Sequence, residues 1–311
     1  MARDHYVPQF YLRNFQIPSK PGWVYSYQRK RRPKPIAIRT AAQEEDYYDL
    51  KRNDPTVDKD GVDKLLWMSE NNSSNAISRL ITDTSFTLAG SDRGYLSWFI
   101  GLLAARTPFA REAIVSHEEA FMNRDLRKML RDDEEFQRFL EAHPEEDRLE
   151  LEAARKAFLA GEMTLEYGRG GETEDFLMAG QLQFANMIVD ILQRKFWTLV
   201  ESNNSRRFVT SDNPVVVMPT IHHTAEMHFG YVDGNLLVPL SPRRALMCTE
   251  KPWGRDKIVH IFERKMAEFQ FYTITQCQKS VFSHIEEEEF QTVLDKTEEG
   301  KIHEVTLPPE V

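Results

Sequence analysis

The sequence is short of cysteine, of long apolar runs and of excess positive charge. Its 311 residues include two cysteines, Cys248 and Cys277. Neither is half of a CxxC pair, which excludes zinc-ribbon and thioredoxin-like sites. Both lie in apolar or helical contexts, so buried free thiols and a reducing, cytoplasmic setting are expected. The longest apolar run, Tyr95 to Ala105, is shorter than the roughly 20 residues of a membrane-spanning helix. It reads as a buried core helix, and no membrane partner is expected. The polar start, Met1 to His5, is not that of a signal peptide.

Lys and Arg total 40 against 49 Asp and Glu, a formal charge of −9. Most duplex affinity comes from basic contacts to phosphate, so a whole-surface nucleic-acid footprint is not expected. A local pocket for nucleic acid or a nucleotide stays open. Metal sites are also thin. His222, His223 and His228 lack a companion Cys or a well-spaced carboxylate, and His117-Glu118-Glu119 lacks the second His of a zincin helix. No cofactor is expected.

With 41% hydrophobic and 29% charged residues, the chain can build an ordinary core. Pro8 suits the first turn of a short helix ending at Phe15, with Tyr11 and Phe15 on one face and Gln9 and Arg13 on another. Trp23 to Tyr27 and Pro35 to Thr40 read as a hairpin around a basic turn, Arg29 to Lys34. Residues 62–195 read as mostly helical, with Thr107-Pro108 as a cap and first-turn proline. Within them, residues 132–170 are strongly charged and broken at His143-Pro144, as in exposed helices or a helical insertion. Period-two patterning then marks strands at Trp197 to Val200, Arg207 to Thr210, Val215 to Met218, Leu236 to Leu240 and Ala245 to Cys248. Ile258 to Ser283 reads as helix, and Glu286 to Glu289 as a solvated acidic face. The expected fold is one α+β domain over residues 1–311: an N-terminal β-hairpin, a large helical body, a small antiparallel sheet and a C-terminal helix.

Two stretches concentrate groups able to do chemistry. The opening, His5 to Phe15, holds His5, Gln9, Arg13 and Asn14 among aromatic anchors. Histidine is the side chain best poised for proton transfer near neutral pH. The same residues also suit a plain N-terminal helix with its polar side in water. The second stretch, Thr210-Ser211-Asp212-Asn213-Pro214, ends a strand in small polar groups. Such residues form ordinary turns, and strand ends also present functional side chains. Ser211 lacks the flanking glycines of a nucleophile elbow.

These two stretches, with Asp46-Tyr47-Tyr48, Arg106-Thr107-Pro108 and Pro239-Leu240-Ser241-Pro242, resemble the family catalogued as domain of unknown function 4238. The resemblance spans nearly the whole chain, and the opening motif is its specific part. Ala267 to Gln270 stands where the family pattern has an asparagine. The family is mainly bacterial and without a settled activity, and some members are associated with defence against bacteriophage. The resemblance implies functional roles for His5, Gln9, Arg13, Ser211, Asp212 and Asn213.

The resulting expectation is an intracellular antiviral effector. It would act on a phosphorylated substrate, as a metal-independent nuclease or hydrolase would. His5 would be the acid/base and Asp212 its orienter, raising the imidazole pKa. Arg13 and Arg106 would be anion contacts, and Tyr48 a stacking or core residue. The alternative is a non-enzymatic sensor using the same polar pocket, triggered by a phage protein. A third reading has both motifs locking the N-terminus against the sheet. Oligomeric state is left open.

Overall fold

A computed structural model describes residues 3–48, 60–88, 90–144, 147–168, 172–218, 231–253 and 258–297. The chain opens with strand β1 (Arg3–His5) and helix α1 (Gln9–Leu12), which tightens into a 3-10 turn at Arg13–Phe15. Tyr11, Leu12 and Phe15 are buried. The expected hairpin forms as β2 (Trp23–Tyr27) and β3 (Lys34–Ala37), and β4 (Gln43–Glu45) returns to pair with β1, setting His5 opposite Gln43.

The helical body comprises α2 (Gly61–Thr82), α3 (Asp92–Ala105), α4 (Pro108–Arg131), α5 (Asp133–Ala142), α6 (Arg148–Ala160) and α7 (Glu172–Arg194). The Thr107 side chain caps α4, accepting from the Ala110 N–H at 3.2 Å. Arginines close other helix ends, where unpaired carbonyls attract cations. Arg93 donates to the carbonyls of Leu192, Gln193 and Lys195 at the end of α7. Arg244 donates to those of Leu80 and Asp83 at the end of α2. The charged stretch from 132 folds back on the end of α4, where Leu130, Phe136, Leu140 and Phe158 form their own small core.

Two larger sheets complete the fold. One runs β10-β5-β9-β8-β7, built from β5 (Phe196–Ser202), β7 (Val216–Met218), β8 (Asn235–Pro239), β9 (Arg244–Thr249) and β10 (Ile258–Ile261). The other runs β3-β2-β11-β6, adding β6 (Thr210–Ser211) and β11 (Val281–Ser283) to the hairpin. Helices α8 (Glu263–Thr275) and α9 (Glu288–Asp295) close the described chain. Cys248 and Cys277 are both buried. No helix among the described residues is long and apolar enough to cross a membrane.

The expected N-terminal hairpin is extended by β11, which pairs antiparallel with β2 and joins it to the second half of the chain. Two expectations are corrected. Residues 258–283 are not one helix: the β-branched run at Ile258 pairs parallel with β5, and Val281–Ser283 pairs with β2 and β6. The strand expected at Arg207 to Thr210 shrinks to Thr210–Ser211 and leaves β5 for the other sheet. The Phe208 N–H donates to the Pro242 carbonyl instead of a strand ladder. The His222, His223 and His228 cluster lies outside the described residues.

Gly101 on α3 shows how closely α3 and α7 approach. A Cβ there would lie 2.7 Å from the Ala185 carbonyl oxygen and 3.0 Å from a Val189 methyl. Gly101→Ala must therefore push two buried helices apart, and overpacking of this kind costs about 1–3 kcal/mol. Urea denaturation of G101A is expected to show a loss in that range; wild-type stability would contradict this packing.

Candidate functional site: the His5 and Asp212 neighbourhoods

Asp212 is 2% exposed and is the one carboxylate in the two motifs. It accepts three consecutive backbone N–H groups, from Gln278 at 2.9 Å, Lys279 at 2.6 Å and Ser280 at 2.8 Å. Successive amides turned to one point make an anion cradle, filled here by the chain's own carboxylate. Burial still dominates and pushes the Asp212 pKa up to about 6, against the lowering effect of the three amides and of Lys279.

The rest of the motif is equally committed. The Ser211 hydroxyl donates to the Asn213 carbonyl and accepts the Asn213 N–H. The Asn213 amide donates to the Gln276 carbonyl at 3.1 Å, and the Gln276 side chain bonds both backbone groups of Val217. Tyr11 joins the opening motif to this one, donating to the Pro239 carbonyl at 2.5 Å with its oxygen 3.0 Å from the Thr210 hydroxyl.

His5 has different neighbours. It is half-buried, and its Nε2 lies 3.2 Å from the Arg39 carbonyl. A carbonyl only accepts, so Nε2 carries the proton and Nδ1 keeps its lone pair in the neutral ring. Desolvation holds the His5 pKa below the ordinary histidine value, outweighing the Arg39 hydrogen bond and the nearby charges of Glu70 and Asp4, with Arg106 pulling it further down. Tyr48 is buried, donating its hydroxyl to the His5 carbonyl at 3.2 Å and its N–H to Asp4 at 3.2 Å. Arg106 is 4% exposed and donates to Glu70 at 3.0 Å, while its Nε has no hydrogen-bond partner among the described residues.

The expected hydrogen bond between His5 and Asp212 is therefore not formed: the Arg39 carbonyl takes the imidazole, and three amides take the carboxylate. Tyr6 stands between the two neighbourhoods, its phenol pKa raised mainly by burial and then by the Asp212 charge. Gln9 and Asn14 are half-buried and Arg13 is exposed; none makes a side-chain hydrogen bond among the described residues. Glu70 and Arg39 were missed in the sequence. Glu70 sits on an ordinary amphipathic helix, and Arg39 acts through its carbonyl, which no side-chain pattern reveals.

A polar cavity of about 490 Å³ opens beside Tyr47, between the face of α4 that carries Arg111, Glu112 and Glu119 and the loop at Tyr167. Lys279, whose N–H holds Asp212, reaches its rim and pairs with Glu44 at 3.0 Å. No group of three or more His, Cys, Asp or Glu able to hold a metal occurs among the described residues.

A family model described as "Protein of unknown function (DUF4238)" matches residues 3–287. No curated protein and no solved structure matches the chain.

Asp212 yields two checks. Asp212→Asn turns an amide N–H₂ toward three N–H donors, leaving buried donors unsatisfied at about 1–3 kcal/mol each. D212N is expected to be less stable by at least that much in chemical denaturation. The folded protein also holds the Asp212 proton more tightly than the unfolded chain does. The stability this contributes is full below the ordinary value of 3.8 and is lost as pH rises through about 6. Stability of the wild type relative to D212N should therefore fall across that window. A difference that is flat with pH would contradict the burial-driven shift.

Proposed function

The chain belongs to this family of unknown function, matched over residues 3–287, and from that premise we propose that it is an acid/base effector acting on a phosphorylated substrate. His5 is the proton-transfer group and Arg106 the anion contact. One observation carries the reading: His5 is fixed in a single tautomer by the Arg39 carbonyl, with Nδ1 free and the pKa lowered. A neutral imidazole with a defined lone pair is what a general base needs near pH 7. The Arg106–Glu70 pair beside it supplies a guanidinium with one unpartnered N–H, a group suited to phosphate oxygens. Nucleases and other phosphoesterases fit this chemistry. The intracellular, antiviral setting is supported by the resemblance to family members linked with phage defence.

A second reading, a sensor that holds a nucleotide or a phage protein and does no chemistry, is favoured by the position of Asp212. With that carboxylate occupied by backbone amides, His5 has no acidic residue hydrogen-bonded behind it.

His5→Gln separates the two. Glutamine can keep the Arg39 hydrogen bond but cannot take a proton. If His5 is the base, H5Q stays folded by circular dichroism yet loses about 10²- to 10⁴-fold in phosphodiester turnover and loses protection in phage-challenged cells. If the protein is a sensor, H5Q keeps protection, and the wild type turns over no phosphodiester.

A further inference from the structure

Beyond the His5 reading, we propose that the cavity beside Tyr47 is a second ligand site, and that it takes an organic ammonium group of the diamine or polyamine class. The cavity is lined by Glu44, Glu112, Glu119 and Glu174 against Arg111 and Lys279, four carboxylates to two cations. Both cations are already neutralised. Lys279 pairs with Glu44 at 3.0 Å, and Arg111 with Glu174 at 3.2 Å while its guanidinium lies 4.4 Å above the Tyr47 ring. Glu119 spends one oxygen on the Tyr167 N–H at 2.8 Å. The second Glu119 oxygen and the whole Glu112 carboxylate form no hydrogen bond or ion pair among the described residues. The surplus charge is therefore negative, and it lies on one face of α4 at a spacing of seven residues, two helical turns.

An acidic surplus alone would be a solvated face. Tyr47 makes it a site. It lines the cavity, is 4% exposed, and among the described residues its hydroxyl completes no hydrogen bond of ordinary geometry, although the Gln181 side chain interacts with it. A buried hydroxyl whose hydrogen bonding is incomplete is costly, and a ligand N–H donated to its oxygen recovers part of that cost. Burial keeps the phenol neutral, its pKa pushed up to about 12, so its oxygen is free to accept. Tyr167, packed on Phe176 with ring centroids 6.0 Å apart, adds a second aromatic wall. Carboxylates with aromatic rings suit an alkylammonium, which donates up to three N–H bonds and is drawn to ring faces. A metal ion is the less suitable cation, since the described carboxylates do not gather three at one point.

The test is isothermal titration of the full-length protein with putrescine and spermidine, with 1-butanol as the uncharged control. Saturable binding of an amine, absent for butanol, is expected. Glu112→Gln, an exposed position that leaves the packing intact, should weaken it about tenfold through loss of the unpaired carboxylate. Tyr47→Phe should also weaken it, with its fold checked by thermal melting. If Y47F melts early, the E112Q comparison decides alone. No saturable amine binding, or equal affinity in E112Q, overturns the proposal. So does displacement of the amine by Mg²⁺ at constant ionic strength, which would assign the site to a metal. H5Q should bind the amine like the wild type, so failure here leaves the His5 reading standing, and failure there leaves this one.

Discussion

Much of the structure hangs on one buried carboxylate. Asp212 directly follows β6, and its oxygens are closed by the amides of residues 278–280, just before β11. A charge or polar group at this depth is tolerable only when fully hydrogen-bonded. The turn after α8 must therefore direct three N–H groups inward. That fixes where β11 begins, and β11 is the strand that pairs with β2 and brings the N-terminal hairpin into the sheet of the second half. The same turn presents Lys279 to Glu44 on β4, and β4 is the partner of β1, which carries His5. One side chain thus links the late sheet to the strand that holds the proposed base.

Local structure was legible wherever a single segment decided it. The Thr107-Pro108 start, the hairpin strands, the buried helix before Arg106 and the charged helices after residue 131 follow from caps, periodicity and turn chemistry. What was not legible is non-local. Val281–Ser283 forms a strand, where the sequence reads as helix, because Tyr25 to Tyr27 and Thr210–Ser211 offer ladder partners more than fifty residues away. Nothing within residues 276–283 encodes that. Likewise, Asp212 looked free to orient a histidine, because the amides that occupy it carry no side-chain signature. His5 and Asp212 keep separate partners and share no hydrogen bond.

That separation changes the chemistry available to His5. A carboxylate behind an imidazole fixes the tautomer and also stabilises the imidazolium, raising the pKa. The Arg39 carbonyl fixes the tautomer but carries only a dipole, so desolvation wins and the neutral ring is favoured. As the proposed base, His5 would give up proton affinity in exchange for a lone pair held on Nδ1.

The two adjacent tyrosines divide the charges of this region. Tyr48 is bound to the His5 carbonyl and to Asp4, and its phenol feels Arg106 and Glu70. Tyr47 lies under Arg111, near the cavity carboxylates. Their rings meet edge-on at 5.1 Å, inside the core that also holds Tyr6. Arg106 and Arg111 flank the Thr107-Pro108 start of α4, one facing each neighbourhood. Apolar ring matter between two charged groups lowers the local dielectric and shields each from solvent, so each arginine is best served by its own carboxylate, Glu70 for Arg106 and Glu174 for Arg111. The dipeptide Tyr47-Tyr48 and the helix junction at Thr107 thereby keep the His5 neighbourhood and the acidic cavity electrostatically distinct, although both rest on the same short stretch of chain.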